Sequence, residues 1–126
     1  MKIGTGVDLI EIRRIKEAIN RWNDRFLDKV FTPREIEYSK GKRFYFENLA
    51  ARFAAKEAVF KAIGNLNLRW QDIEILNNGE GKPVVRLNSR ARALAKKEKI
   101  TEINISLTHS RDYAVAQAII LRGLVK

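Results

Sequence analysis

The first residues of the chain alternate between apolar positions and small or polar ones. Ile3 and Val7 share one side of this alternation, and Gly4, Gly6 and Asp8 occupy the other. A period of two predicts a β-strand. Because glycine adds no side chain to a strand, the glycines also indicate that another part of the molecule approaches this backbone closely.

Helical spacing replaces the alternation further along the chain. Apolar residues recur every three to four positions and predict one amphipathic helix. Its buried stripe is expected to contain Ile12, Ile15, Ile19, Trp22 and Phe26. Arginines occupy the other side of this helix, namely Arg13, Arg14, Arg21 and Arg25.

A short helix is predicted from Thr32 to about Ser39. Threonine can cap a helix, and Pro33 suits the first helical position. Glu35 stands where a glutamate completes a capping box. Gly41 marks the end of this helix.

The strongest helical segment is the alanine-rich stretch 44–63, which ends at Gly64. A hairpin follows, with strands at 73–76 and 84–87 around a turn rich in glycine and asparagine. Ser89 can cap a basic helix that runs to about Lys99. The last predicted elements are strands at 103–107 and 113–121, joined by a link at 108–112.

This order of strand, helices, hairpin, helix and hairpin predicts an α+β fold, with a mostly antiparallel sheet packed against the long central helix. The 126 residues suit one domain, 1–126, and contain no repeat, linker or low-complexity segment. Ala114, Ala116 and Ala118 line one face of the last strand. Such small residues indicate close packing against either a helix or another subunit.

Composition narrows the classes of function. Apolar residues make up 45% of the chain, so a core can form, and the absence of cysteine excludes disulfides and cysteine–zinc sites. No secretory signal is present, and the longest apolar run, 113–121, is too short to span a membrane and includes Gln117. We therefore expect a soluble, cytoplasmic protein.

The net charge of +10 indicates an acidic partner, which could be nucleic acid, a phosphate-rich ligand or an acidic protein.

Glu57 and Lys61 are the first candidates for chemistry. Four residues apart on a helix, they lie about 40° apart around its axis and point the same way. They could form an ordinary surface ion pair, but apolar neighbours and the nearby cations Arg52 and Lys56 favour a site for a metal-bound phosphate. Magnesium commonly binds one or two protein carboxylates together with water and phosphate oxygens. Asp8 can supply the second carboxylate if the fold brings it near, or it can simply cap the next helix.

Other candidates are weaker by themselves. His109, the only histidine, can be a surface residue or a donor to an anion. The stretch 79–83 can be a plain hairpin turn, or it can present backbone N–H groups and Lys82 to a phosphate. Intervals of seven and four residues place three arginines on one helix face, where they could dock an acidic helix or form a solvated surface: Arg14, Arg21 and Arg25.

Taken together, these segments resemble the holo-acyl-carrier-protein synthase family over the whole chain. The stretch 51–62, ARFAAKEAVFKA, is very close to the family signature R-F-A-x-K-E-A-x-x-K-A. GTGVDLIEI at 4–12 resembles the opening strand with its metal-binding aspartate, and FTPRE at 31–35 resembles a second short motif. NGEGKP at 78–83 and SLTHS at 106–110 are similar to the family's G-K-P turn and its histidine segment.

The resemblance implies an Mg²⁺ ion bound by Asp8 and Glu57, the pyrophosphate of coenzyme A on that ion, and Lys61 beside the phosphates. It implies that Arg14 faces the acidic helix of the acyl carrier protein, and we assign Arg21 and Arg25 to the same surface. The family typically forms homotrimers with sites between subunits. The expected coenzyme A contacts are Arg52, Lys56, Lys61, Gly81, Lys82, Pro83, Thr108 and His109.

The mechanism implied is transfer of 4'-phosphopantetheine from coenzyme A to a carrier serine, in support of fatty acid biosynthesis. Glu57, Lys61 and Asp8 form the catalytic group, with Glu57 or a nearby metal-bound water taking the serine proton and Lys61 stabilising the departing adenosine 3',5'-bisphosphate. The rival hypotheses are a basic nucleic-acid-binding module without enzymatic activity and a purely structural protein. Against the first, the basic residues are spread over several segments and match no nucleic-acid-binding motif, so we expect neither nucleic acid nor membrane as a partner.

Overall fold

The computed structural model describes residues 1–64 and 67–123. In this part of the chain a 3₁₀ turn, Trp70–Asp72, precedes the smaller sheet. No helix among the described residues is long and apolar enough to cross a membrane. The helices and strands are, in order, β1 (Lys2–Glu11), α1 (Ile12–Trp22), α2 (Asp24–Val30), α3 (Pro33–Ser39), α4 (Tyr45–Ile63), β2 (Ile73–Asn77), β3 (Pro83–Leu87), α5 (Ser89–Lys97), β4 (Ile100–His109) and β5 (Tyr113–Arg122).

The strands form two antiparallel sheets, a three-stranded sheet in the order β1–β5–β4 and the hairpin β2–β3. Helix α4 packs across the larger sheet, and its buried alanines form the centre of the core with residues of β2, β4 and β5. The predicted α+β class is therefore confirmed. The antiparallel pairing between β1 and β5 places Gly6 opposite Ala118 and Asp8 opposite Ala116.

The predicted first helix is two helices. Asn23 has a φ of 48°, a left-handed conformation that asparagine tolerates, and its N–H bonds to the carbonyl of Ile19 at 2.7 Å. This ends α1 at Trp22, and the chain resumes as α2 at Asp24. Trp22, expected in the buried stripe, is consequently exposed at the end of α1.

The capping box of α3 is confirmed. Thr32 Oγ1 accepts a hydrogen bond from the Glu35 N–H, and Glu35 Oε1 accepts one from the Thr32 N–H. The last hairpin differs from the prediction, because β4 continues through Thr108 and His109 before the chain turns. The histidine therefore ends a strand rather than occupying the turn.

The alanine face of β5 packs on a helix and not on another subunit. Ala114, Ala116 and Ala118 are fully buried in the two core clusters that include α4. Small side chains here let the helix lie close to the sheet. The helix alternative of the prediction is thus correct, and the opposite face of the sheet is the one left open.

The glycines of β1 meet the backbone of α4. A Cβ atom at Gly6 would lie 2.1 Å from the Ala58 carbonyl oxygen, and one at Gly4 would lie 2.4 Å from that of Ala62. Both distances are far below van der Waals contact, so no larger residue fits without moving the strand away from the helix. The close approach predicted from these glycines is confirmed, and its partner is α4.

Gly6→Ala is therefore expected to destabilise the protein by about 3 kcal/mol, because the added methyl group must separate β1 from α4. Urea unfolding followed by circular dichroism measures the loss. Gly79→Ala is the matched control, since a Cβ at Gly79 meets nothing within 4 Å. If the two variants are equally stable, the close contact between β1 and α4 does not contribute to the stability of the protein.

Candidate active site

Asp8 lies on the face of β1 that is turned toward α4. Its Oδ1 accepts a hydrogen bond from Lys61 Nζ at 3.1 Å, and the same ammonium group donates to the Val7 carbonyl at 3.0 Å. The carboxylate is 17% exposed and the lysine 54% exposed. The pair therefore lies at the surface, with the acid in the more sheltered position.

The direction of β1 brings Asp8 toward the turn of α4 that carries Glu57. Gly4 contacts α4 at Ala62 and Gly6 contacts it at Ala58. Two strand residues advance about 6.6 Å, and four helix residues advance about 6 Å. Asp8, two residues beyond Gly6, therefore comes level with the preceding helical turn, 54–58.

Glu57 lies one helical turn before Lys61. Its Oε1 accepts a hydrogen bond from the indole N–H of Trp70 at 2.8 Å. A cavity of about 480 Å³ opens beside this carboxylate. Its walls combine apolar side chains with cations, and the described lining residues are Lys29, Glu57, Phe60, Leu68, Arg69 and Trp70.

The donor set suits a magnesium ion. Among residues 1–64 and 67–123, no group of three or more histidine, cysteine, aspartate or glutamate side chains could enclose a metal ion. Magnesium does not need such a cage, because it retains waters and binds phosphates beside one or two carboxylates. Asp8 already holds a cation, the ammonium of Lys61, at one of its oxygens. Asp8 and Glu57 therefore fit an ion that is only partly coordinated by protein.

Lys56 does not belong to this surface, although its neighbour in sequence is Glu57. It is 0% exposed. Its ammonium pairs with Glu35 Oε1 at 2.6 Å and donates to the carbonyls of Val30 at 2.8 Å and Trp70 at 3.0 Å. Burial lowers the pKa of Lys56, and the adjacent carboxylate of Glu35 opposes that effect. The structure thus corrects the expected contact between Lys56 and coenzyme A, because a buried and saturated ammonium cannot reach that ligand.

Arg52 is also buried, at 3% exposure. Its guanidinium lies 4.5 Å from the centre of the Tyr38 ring, and its Nη2 donates to Asn77 Oδ1 at 2.7 Å. The side-chain amide of Asn77 in turn donates to the Gly81 carbonyl at 2.8 Å. Burial lowers the pKa of Arg52, partly offset by Tyr38 and Glu35. The described contacts therefore connect Arg52 to the β2–β3 turn and give it no bond to Glu57 or Lys61.

The β2–β3 turn uses its own backbone donors. Asn78 Oδ1 accepts from the N–H groups of Glu80 at 2.9 Å and Lys82 at 3.0 Å. The Gly81 N–H donates to the Asn78 carbonyl at 2.9 Å. The backbone of Gly81 has a φ of 83°, a conformation that favours glycine. These N–H groups are unavailable for the expected phosphate contact. The exposed ammonium of Lys82 and the surfaces of Gly81 and Pro83 remain as possible contacts.

His109 and Thr108 lie at the exposed end of β4. The imidazole ring lies 5.9 Å from the ring of Phe44, which directly precedes α4. Thr108 pairs with Val115 and lines a shallow cavity on the outer face of the sheet. Within the described part of one chain, the ring of His109 lies near Phe44 and its Nδ1 lies 3.3 Å from the Ser110 carbonyl oxygen, and neither contact involves the β2–β3 turn.

The predicted carrier-binding arginines are all exposed. Arg14 and Arg21 belong to α1, whereas Arg25 belongs to α2, because the chain breaks at Asn23. The single helix face expected from their spacing is therefore divided between two helices. Arg21 also lies 5.0 Å from the Trp22 ring.

Trp70 was not predicted as a site residue. It is thirteen residues from Glu57 and belongs to a different element. No periodicity links the two positions, and a single tryptophan in a loop segment is not a motif. Only the folded chain reveals this contact.

The long helix and the antiparallel sheet laid against it are the architecture of one class of transferase. The family model described as "4'-phosphopantetheinyl transferase superfamily" matches residues 4–118. A holo-[acyl-carrier-protein] synthase of Clostridium tetani is 46% identical over 122 residues, which cover 95% of this chain and 96% of that protein. The chain belongs to the holo-[acyl-carrier-protein] synthase family.

Solved structures agree with this assignment. The crystal structure of the holo-[acyl-carrier-protein] synthase of Neisseria meningitidis is similar with a TM-score of 0.88 and 25% identity, covering 94% of this chain and 98% of that one. The enzyme of Helicobacter pylori, solved in complex with coenzyme A, is similar with a TM-score of 0.81 and 27% identity, covering 93% and 99% of the respective chains.

Proposed function

We propose that this protein transfers the 4'-phosphopantetheine group of coenzyme A to a serine hydroxyl of an apo acyl carrier protein and releases adenosine 3',5'-bisphosphate. The observation that carries the proposal is the approach of β1 to α4, which sets Asp8 against Lys61 on the same side of the helix as Glu57. The Helicobacter pylori relative, solved with coenzyme A, supports this choice of donor.

Asp8 and Glu57 would hold the Mg²⁺ ion. When bound there, the ion would neutralise the pyrophosphate and the charge that develops on the leaving oxygen. Lys61 can assist, because its ammonium has three donors and uses two of them on Val7 and Asp8. The third is available to a phosphate oxygen.

Glu57 is the proposed base. The serine oxygen attacks the β-phosphorus, which carries the pantetheine arm, and a new P–O bond forms. The serine proton passes to the Glu57 carboxylate, either directly or through a water beside it. The bond between that phosphorus and the bridging oxygen breaks, and adenosine 3',5'-bisphosphate leaves with its negative charge near Lys61. Positioning and electrostatics supply most of the rate in such transfers.

We propose that the nucleotide part of coenzyme A contacts Lys82, Gly81 and Pro83 of one chain. His109 and Thr108 belong to β4 and not to this turn, and we propose that they come from a neighbouring copy in a homotrimer. The outer face of β1 and β5 supports this, because it exposes apolar side chains: Ile3, Val7, Leu9, Tyr113 and Ile119. Sedimentation equilibrium distinguishes a trimer from the 14.5 kDa monomer.

Mass spectrometry tests the proposed reaction. An apo acyl carrier protein incubated with this protein, coenzyme A and Mg²⁺ should gain the mass of one phosphopantetheine group. In a parallel sample that contains a metal chelator, the carrier should not gain this mass. An unmodified carrier in both samples would reject the proposal. We place the reaction in the cytoplasm and in fatty acid biosynthesis, where such carriers hold the growing acyl chain.

The exposed arginines of α1 provide a second test. Arg14→Glu is expected to raise the KM for the carrier about tenfold, because repulsion replaces attraction toward an acidic helix. The KM for coenzyme A should not change. Arg92→Glu is the charge-matched control, since Arg92 is exposed on α5. Steady-state kinetics with both substrates varied measures the effect, and equal carrier KM values for the two variants would exclude this surface.

A further inference from the structure

The indole of Trp70 makes the one described hydrogen bond to the Glu57 side chain, from Nε1 to Oε1 at 2.8 Å. We propose that Trp70 is a positioning residue that holds the Glu57 carboxylate in its working orientation. The proposal rests on the function proposed above, in which Glu57 binds the metal ion and accepts the serine proton. It adds a residue that is not itself a ligand of the metal ion and that acts through Glu57.

An indole N–H suits this task for a chemical reason. It is a donor only, so it binds one carboxylate oxygen and does not compete as a ligand for a cation. A glutamate side chain has several rotatable bonds, and it loses entropy whenever a ligand orders it. With Oε1 already held, the orientation of the carboxylate is largely set before the ligand arrives, and Oε2 remains for the ion or the proton.

Trp70 is itself held on several sides. Its carbonyl accepts from the buried ammonium of Lys56 at 3.0 Å. Its ring lies 6.2 Å from that of Phe53, and Lys29 Nζ lies 5.8 Å from its centre. These contacts fix both the backbone and the ring, so the direction of the N–H bond is determined by the fold.

The 3₁₀ turn around Trp70 is anchored by Asp72. Asp72 Oδ2 accepts from the Arg69 N–H at 2.8 Å and pairs with Arg90 at 2.5 Å. Its Oδ1 accepts from the side-chain amide of Asn88 at 2.8 Å. The turn therefore cannot drift relative to α5 and the smaller sheet without breaking several bonds.

This arrangement gives the adjacent residues Lys56 and Glu57 complementary tasks. Lys56 points into the core, where its ammonium donates a hydrogen bond to the backbone carbonyl of Trp70. The side chain of Trp70 in turn donates a hydrogen bond to Glu57. The loop formed by these contacts begins and ends on the same turn of α4. A second support of this kind is typical of metal ligands, whose orientation depends on the groups that hydrogen-bond to them.

The test removes the indole N–H of Trp70 and keeps an aromatic ring at position 70. Trp22→Phe serves as the parent protein, so that Trp70 is the sole tryptophan. In this parent, one variant carries Trp70→Phe, and a second carries β-(3-benzothienyl)alanine at position 70, which has the shape of tryptophan but no donor. The probe is Mn²⁺, whose free concentration is read by electron paramagnetic resonance at a fixed concentration of coenzyme A, with a protein-free blank.

We expect both variants to bind Mn²⁺ about tenfold more weakly than the parent, because loss of a group that orients a ligand commonly costs that much affinity. The melting temperature of the benzothienyl variant should stay within a few degrees of the parent, and the KM for the carrier should not change. Unchanged Mn²⁺ affinity in the benzothienyl variant would overturn the proposal. Weaker binding that appears only together with a large fall in melting temperature would overturn it as well, since Trp70 would then act only through stability.

Glu57→Gln in the same parent separates the two proposals. Glutamine keeps an oxygen that can accept the Trp70 N–H, but it loses the charge. If Glu57→Gln binds Mn²⁺ as the parent does, the proposed metal site itself is wrong. If that variant loses Mn²⁺ while both Trp70 variants retain it, only the positioning role fails.

Discussion

Glu57→Gln is expected to lower kcat for phosphopantetheine transfer by about a thousandfold, because the variant loses a base and a charged ligand together. The shape of the side chain and its bond to Trp70 can both persist, so the fold should remain intact. Transfer to an apo carrier, followed by mass spectrometry over time, measures the rate. Circular dichroism checks that the protein is folded.

Glu102→Gln is the control for Glu57→Gln, since Glu102 is an exposed glutamate on β4. It should retain full activity. A thermal shift adds an independent measurement, because coenzyme A with Mg²⁺ should raise the melting temperature of the unmodified protein and not that of Glu57→Gln. Turnover near normal in Glu57→Gln would remove this residue from the active site.

Glu35→Ala should produce the largest loss of stability, about 4 kcal/mol, because it leaves the buried ammonium of Lys56 without its counter-charge. Glu35 Oε1 also accepts from the Thr32 N–H, and its Oε2 accepts from the Ile75 N–H at 2.8 Å. One side chain therefore connects α3, α4 and β2. Urea unfolding measures the loss.

Two further variants are needed to interpret the result for Glu35→Ala. Glu37→Ala on the same helix is the control and should change stability by less than about 0.5 kcal/mol, because Glu37 is exposed. The double variant Glu35→Leu with Lys56→Met should be more stable than Glu35→Ala, since it removes both charges from the core. If Glu35→Ala is as mild as the control, the buried pair contributes little to stability.

The double variant also bears on the active site. Lys56 also holds the Trp70 carbonyl, so its loss should loosen the turn that supports Glu57. Lys56 of the buried ion pair and Glu57 of the proposed active site are neighbours on α4, about 100° apart around its axis. A mutation in the buried pair can reduce activity without any contact with substrate.

Local patterns in the sequence were sufficient for much of the fold. The capping box at Thr32, the alanine-rich helix and the period-two strands depend on neighbours a few residues away, and the structure confirms them. The break at Asn23 was not predicted, because the apolar spacing of α1 continues through it into α2. Asn23 is the one local signal for the break, because asparagine tolerates the positive φ that ends α1.

Local spacing and one long contiguous motif were enough to predict the α+β class, most element positions, a close partner at Gly4 and Gly6, and the family. Which lysine of α4 faces outward could not be read from them and depends on the folded chain. Lys56 and Lys61 are the same residue type on the same helix, but Lys56 meets Glu35 in the core, whereas Lys61 meets Asp8 at the surface. Their different roles arise from partners that are distant in the chain, and such partners become neighbours only when the chain folds.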